Sequence, residues 1–127
     1  MKKSGGKAYY MRERDVNVNA AERWTDSGVT LRAGQTIYVS ANGRIHWGPK
    51  RQDGPGGEHN SPRNDARPIP SRPAAALIGR IGDGDNYFFI GDETGAIRVR
   101  DNGRLYLGIN DDYLQDNSGA FRVTVYY

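Results

Sequence analysis

What most constrains this chain is its rhythm: short runs of alternating apolar and polar residues, each cut off by a glycine or asparagine turn. Val16-Asn17-Val18-Asn19 alternates with the period of two that lines one face of a strand. Thr36-Ile37-Tyr38-Val39-Ser40-Ala41 does the same and stops at Asn42-Gly43, a strong turn pair. Arg104 to Ile109 places Leu105, Leu107 and Ile109 on one face, and Phe121 to Tyr126 does so with Phe121, Val123 and Val125. Further short strands are expected at Val29–Gly34, Arg44–Trp47, Ala76–Gly82, Tyr87–Gly91 and Ala96–Val99, with a turn at Trp24–Gly28. No stretch carries a helical period. The pattern therefore predicts an all-β chain of about eight short antiparallel strands, folded as a jelly-roll β-sandwich whose first and last strands pair.

With 127 residues the chain suits one domain, expected over residues 15–127, with residues 1–14 as a mobile N-terminal segment. The basic start lacks the apolar core of a usual signal peptide, which leaves the location open between the cytoplasm and release without such a signal. No run approaches the roughly 20 apolar residues of a membrane helix, so no membrane insertion is expected. The absence of cysteine excludes disulfides, thiolate metal sites and thiol catalysis. A net charge of +3 is mild, and the basic residues are scattered along the chain, so nucleic acid is not an expected partner.

Two segments break the strand rhythm. From Gly48 to Pro73 the chain is rich in proline and glycine and nearly free of apolar side chains, and loops of that length are commonly functional or disordered. Its His59, Ser61, Asn64 and neighbours could meet hydroxyl groups. The second segment, Asn110 to Gly119, crowds Asn110, Asp111, Asp112, Asp116 and Asn117 between two clear strands. Such hard oxygens are what calcium takes, six to eight at a time. The alternative is a polar turn whose side chains bond their own backbone. The segment lacks the acid spacing of an EF-hand loop. Catalysis is poorly served. Neither His46 nor His59 sits in a nucleophile or zinc motif, and only a paired-carboxylate hydrolysis at Asp111 and Asp116 can be drawn. The chain is accordingly expected not to be an enzyme.

Taken together, several marks resemble the calcium-dependent galactose-binding bacterial lectins of the PA-IL type. They are Trp24-Thr25-Asp26-Ser27-Gly28-Val29, Val39-Ser40-Ala41-Asn42-Gly43, Trp47-Gly48-Pro49, Gly54-Pro55-Gly56-Gly57, Ala76 to Gly82, Gly103 to Leu107, and Asn110-Asp111 through Asp116-Asn117-Ser118-Gly119. The resemblance implies a jelly-roll β-sandwich with one calcium that binds two adjacent hydroxyls of a galactose-type sugar. It places a bidentate carboxylate at Asp111, side-chain ligands at Asp116 and Asn117, and carbonyl ligands at Trp47 and Tyr113. Sugar contacts would come from Trp47, Asp111, Asp112 and Asp116, and from the long loop. There Ser61 stands where the family has histidine, Asn64 where it has glutamine, and His59 lies close by. The resemblance also implies galactose-type saccharides or glycoconjugates as partners and a homo-oligomer. Two other readings remain: a non-catalytic sandwich module in which calcium only braces the loop, and a small hydrolase.

Overall fold

The computed structural model describes residues 11–127. Its strands are β1 (Glu13–Asn19), β2 (Thr25–Leu31), β3 (Thr36–Asn42), β4 (Ile45–Gly48), β5 (Arg51–Asp53), β6 (Leu77–Ile81), β7 (Phe88–Phe89), β8 (Ile97–Arg98), β9 (Gly103–Ile109) and β10 (Ser118–Tyr126), and no helix occurs among the described residues.

Alternation decides which strands form and which way they face. In β1, Val16 and Val18 turn inward while Asp15 and Asn17 face solvent. In β10, Phe121, Val123 and Val125 do the same, and the two strands pair antiparallel from Glu13–Tyr126 to Asn19–Ala120. On its other edge β10 pairs first with β4 and then with β3, which carries β8; β4 carries β5. A second sheet runs β2–β9–β6–β7. The two sheets close on one core. Val18, Ile37, Val39, Ile45, Phe121 and Val125 come from the first sheet, and Val29, Leu31, Leu77, Leu105, Leu107 and Ile109 from the second. Burial of such side chains contributes roughly 1.5–3 kcal/mol each. The expected all-β sandwich and the pairing of first and last strands are therefore present.

Three details differ from the sequence reading. Thr25 to Gly28, expected as a turn, lies inside β2, and the register against β9 shifts between Asp26 and Thr30. The turn-like residues make a bulge: Asp26 Oδ1 accepts the Gly28 N–H at 2.8 Å, Ser27 Oγ accepts that of Val29 at 3.0 Å, and Gly28 takes a φ of 80°. Among the described residues there are ten strands rather than about eight: β5 forms a hairpin with β4 inside the long loop, where no strand was expected, while the strands expected at Tyr87–Gly91 and Ala96–Val99 shorten to β7 and β8. The sheet also takes in Glu13 and Arg14, assigned to the N-terminal segment, since a ladder of main-chain bonds with β10 extends to Arg12 and Tyr127. The rest of that expectation, over residues 1–10, lies outside the described residues.

Candidate functional site

One end of the sandwich gathers the loops that matter. The segment Asn110–Asn117 joins β9 to β10, the end of β1 runs into Ala20 beside it, and β4 approaches through the pairing of His46 with Ser118. Trp47 follows His46 in β4, and Asn117 precedes Ser118 in the chain. Arg23, between β1 and β2, donates to the carbonyls of Ile109 at 3.2 Å and Asp111 at 2.8 Å, and so clamps the start of the segment.

Asp111 is 3 % exposed and Asn117 is 8 % exposed. Asn117 Nδ2 donates to Asp111 Oδ2 at 2.9 Å and to the Ala20 carbonyl at 3.0 Å, and the Tyr113 N–H donates to Asp111 Oδ1 at 3.3 Å. Burial raises the Asp111 pKa above its ordinary 3.8; the bonds from Asn117 and Tyr113 pull it back, and neighbouring Asp112 pushes it up again. Among the described residues no cationic side chain pairs with this carboxylate. Asn117 Oδ1 is buried and accepts no hydrogen bond. A desolvated carboxylate without a counter-charge and an orphaned amide oxygen on the same pair of side chains are each costly. A hard cation would relieve both, so the residues present fit calcium. Among the described residues no three His, Cys, Asp or Glu side chains converge, so any such ion would need the Asn117 amide and main-chain carbonyls to fill its shell.

The other expected ligands are placed as follows. Asp116 is exposed and adjoins Asn117 in the chain. Tyr113 is 54 % exposed, and its hydroxyl donates to Gln115 Oε1 at 3.1 Å, which leaves only its main chain turned to Asp111.

Beside this pair lies a shallow cavity of about 350 Å³ that brings together Trp47, Asn64 and Asp112. The Trp47 indole N–H donates to Asp53 Oδ2 at 2.9 Å and the Arg51 guanidinium stacks 4.9 Å from its ring centroid, so the ring is fixed as a wall. Asn64 Nδ2 reaches Asp112 Oδ2 at 3.5 Å, a long contact easily exchanged for a ligand hydroxyl. Ser61 is used within the loop: its hydroxyl donates to Glu58 Oε1 at 3.1 Å and accepts the Ala74 N–H at 2.9 Å. His59 is exposed and does not line the cavity.

Sequence reasoning missed the residue that holds the two loops together. Asn110, counted there among the oxygen donors, is fully buried. Its Oδ1 accepts the Ile69 N–H at 2.8 Å, and its Nδ2 donates to the carbonyls of Ile69, Arg72 and Pro73 at 3.0–3.1 Å. Arg67 was missed too; it is buried under the long loop and bonds the carbonyls of Pro62 and Pro70. A larger cleft, about 660 Å³ near Tyr87, Phe88 and Ile97, is lined by none of the buried unpartnered polar atoms.

The comparisons with known proteins agree with this geometry. A family model described as PA-IL-like protein matches residues 13–127. Among solved structures, the N-terminal domain of EclA, described as a PllA-like lectin, superposes with a TM-score of 0.72 at 27% identity, covering 93% of this chain and 98% of that one. Among curated proteins none matches. A match over nearly the whole described chain, on a sandwich that presents a buried acid–amide pair at one end, shows that the chain belongs to the PA-IL-like protein family.

Proposed function

We propose that this protein is a calcium-dependent lectin that binds a terminal galactose-type sugar and performs no catalysis. The observation that carries the reading is the buried Asp111–Asn117 pair, with its uncompensated carboxylate and its orphaned amide oxygen, next to a cavity walled by Trp47. Family membership and the likeness to a lectin support it.

Asp111, Asp116, Asn117 and the carbonyls of Trp47 and Tyr113 would hold the calcium. When bound, the ion supplies open coordination positions at which two adjacent sugar hydroxyls can replace water. Rotation of the Asn117 amide about Cβ–Cγ exchanges Nδ2 for Oδ1 and turns the orphaned oxygen toward the Asp111 carboxylate. Asp112 accepts from a sugar hydroxyl and Asn64 donates to one, each giving up the 3.5 Å contact between them. The fixed Trp47 ring packs against the sugar's C–H face. Ser61 acts indirectly, by bracing Glu58 and Ala74. So few groups are desolvated that one site binds weakly, and several sites in a homo-oligomer would provide avidity.

The test is calorimetric titration of methyl galactoside with calcium and after chelation, in the wild type and in Asp111→Ala. Heat that requires both calcium and Asp111 is expected. Calcium-free binding, or undiminished binding in Asp111→Ala, overturns the mechanism. Calcium binding without any sugar binding would favour a module in which the ion only braces the loop.

A further inference from the structure

The cavity beside Asp111 contains a charge that neither the calcium site nor a neutral sugar uses. Arg67 lines it and is 7 % exposed. An arginine keeps its charge under all ordinary conditions, so a guanidinium buried this far normally has a carboxylate beside it. Here it has none. Glu58, which lines the same cavity, is engaged by Arg51 at 3.3 Å and by the Ser61 hydroxyl at 3.1 Å. Asp112, which also lines the cavity, accepts from Asn64 and adjoins Asp111. Asp65 is paired with Arg63 at 2.9 Å. The partners of Arg67 are two neutral carbonyls, those of Pro62 and Pro70, both on Nη2. Its Nε is buried and bonds nothing, and its Nη1 makes no hydrogen bond and is not sealed from solvent. Two carbonyls position the fork without neutralising it.

We infer that Arg67 is the reader of an anionic substituent, so that the preferred ligand is an acidic galactose-type sugar, one whose exocyclic carbon is a carboxylate or bears a sulfate ester. This rests on the lectin reading above. In such a sugar the cis-diol faces the cation at Asp111 and Asn117. The exocyclic carbon flanks the axial hydroxyl of that diol and turns freely about one bond, so it is the part of the ring able to reach across the cavity. A planar carboxylate matches the guanidinium fork, and a sulfate oxygen can take the same donors. Neutral galactose would offer Arg67 only a hydroxyl and leave the buried charge uncompensated.

The experiment compares methyl galactoside, methyl galacturonoside and 6-sulfated methyl galactoside by calorimetry, all in excess calcium so that chelation by the acid itself does not deplete the ion. A charge-assisted bond to a buried guanidinium is worth enough to expect at least about tenfold tighter binding of one acidic sugar. In Arg67→Met the ratio of acidic to neutral affinity should fall to about one, within the twofold scatter such differences carry. Because Arg67 also braces the loop through Pro62 and Pro70, a readout without any variant accompanies this. In the wild-type protein, the side-chain NMR signals of Arg67 should shift further on binding the acidic sugar than on binding the galactoside. Equal or weaker binding of both acidic sugars overturns the inference and leaves the lectin reading standing. So does a preference that survives in Arg67→Met, or one that leaves the Arg67 signals unmoved. Failure of all three sugars to bind in calcium overturns the lectin reading, and this inference with it.

Discussion

Asn110→Ala is the substitution with the clearest consequence. The wild-type amide is fully buried and serves four main-chain groups: the N–H and carbonyl of Ile69 and the carbonyls of Arg72 and Pro73, at 2.8–3.1 Å. Alanine removes all of those partners at once. A net loss near 1 kcal/mol per bond, with some carbonyls recovering water, gives a destabilisation of about 3 kcal/mol. That is a large share of the 5–15 kcal/mol typical of a domain. At a few degrees per kcal/mol for a chain of this size, the melting temperature should fall by roughly 10 °C. Urea unfolding measures the free energy directly, and hydrogen exchange at the Ile69 amide reports the local opening. Asn110→Asp is the companion: at neutral pH it sets a carboxylate oxygen against three carbonyls, and it should cost at least as much as alanine and recover on acidification. A loss below about 1 kcal/mol in Asn110→Ala would refute the idea that one amide ties the long loop to the sandwich.

Further outcomes follow from the same geometry. The folded-state pKa of Asp111 is raised, so burying its ionised form costs stability above that pKa, and the cost is relieved as pH falls toward the ordinary 3.8. Calcium requires the ionised form, so the calcium-induced rise in melting temperature should fade over that same acidic window, at higher pH than an unperturbed aspartate would give. Asp111→Asn should keep the calcium-free melting temperature at pH 7 or raise it, while abolishing the calcium response; a retained response would place the ion elsewhere. Gly108→Ala should destabilise by about 2 kcal/mol, because its methyl would strike the Arg23 carbonyl and lie 2.8 Å from the Trp24 ring, neither of which can move freely. Urea unfolding indistinguishable from wild type would contradict that.

The parts of the fold legible from sequence were those where one face is buried and the other wet. β1, β9 and β10 announce themselves because Val16 and Val18, Leu105 and Leu107, and Phe121, Val123 and Val125 alternate with polar residues. The first half of β2 was hidden because Asp26-Ser27-Gly28 has the chemistry of a turn, and a bulge uses the same side-chain bonds to the backbone as a turn does. β5 was hidden because Arg51-Gln52-Asp53 has no apolar residue and stands inside the proline- and glycine-rich loop. In the site, the proximity of Asp111 to Asn117 was readable from a short acid–amide loop between two strands. The division of labour inside that loop was not. Asn110 and Asn117 are the same residue type in the same segment, yet one spends its whole amide on the long loop and the other keeps an oxygen free. Both are buried, and only their partners, which belong to the tertiary structure, separate them. Arg67 was invisible for the same reason, standing among prolines in a stretch without periodicity.

Amide NMR titration, first with calcium and then with methyl galactoside, tests the central claim most directly. Calcium should shift the signals of Asp111, Tyr113 and Asn117, including the Asn117 side-chain amide as it rotates. The sugar should then shift the Trp47 indole, the Asn64 amide and Asp112, and should do so only with calcium present. Sugar-induced shifts that persist in chelator, or a calcium response that leaves the Asn117 side chain unmoved, would contradict the account.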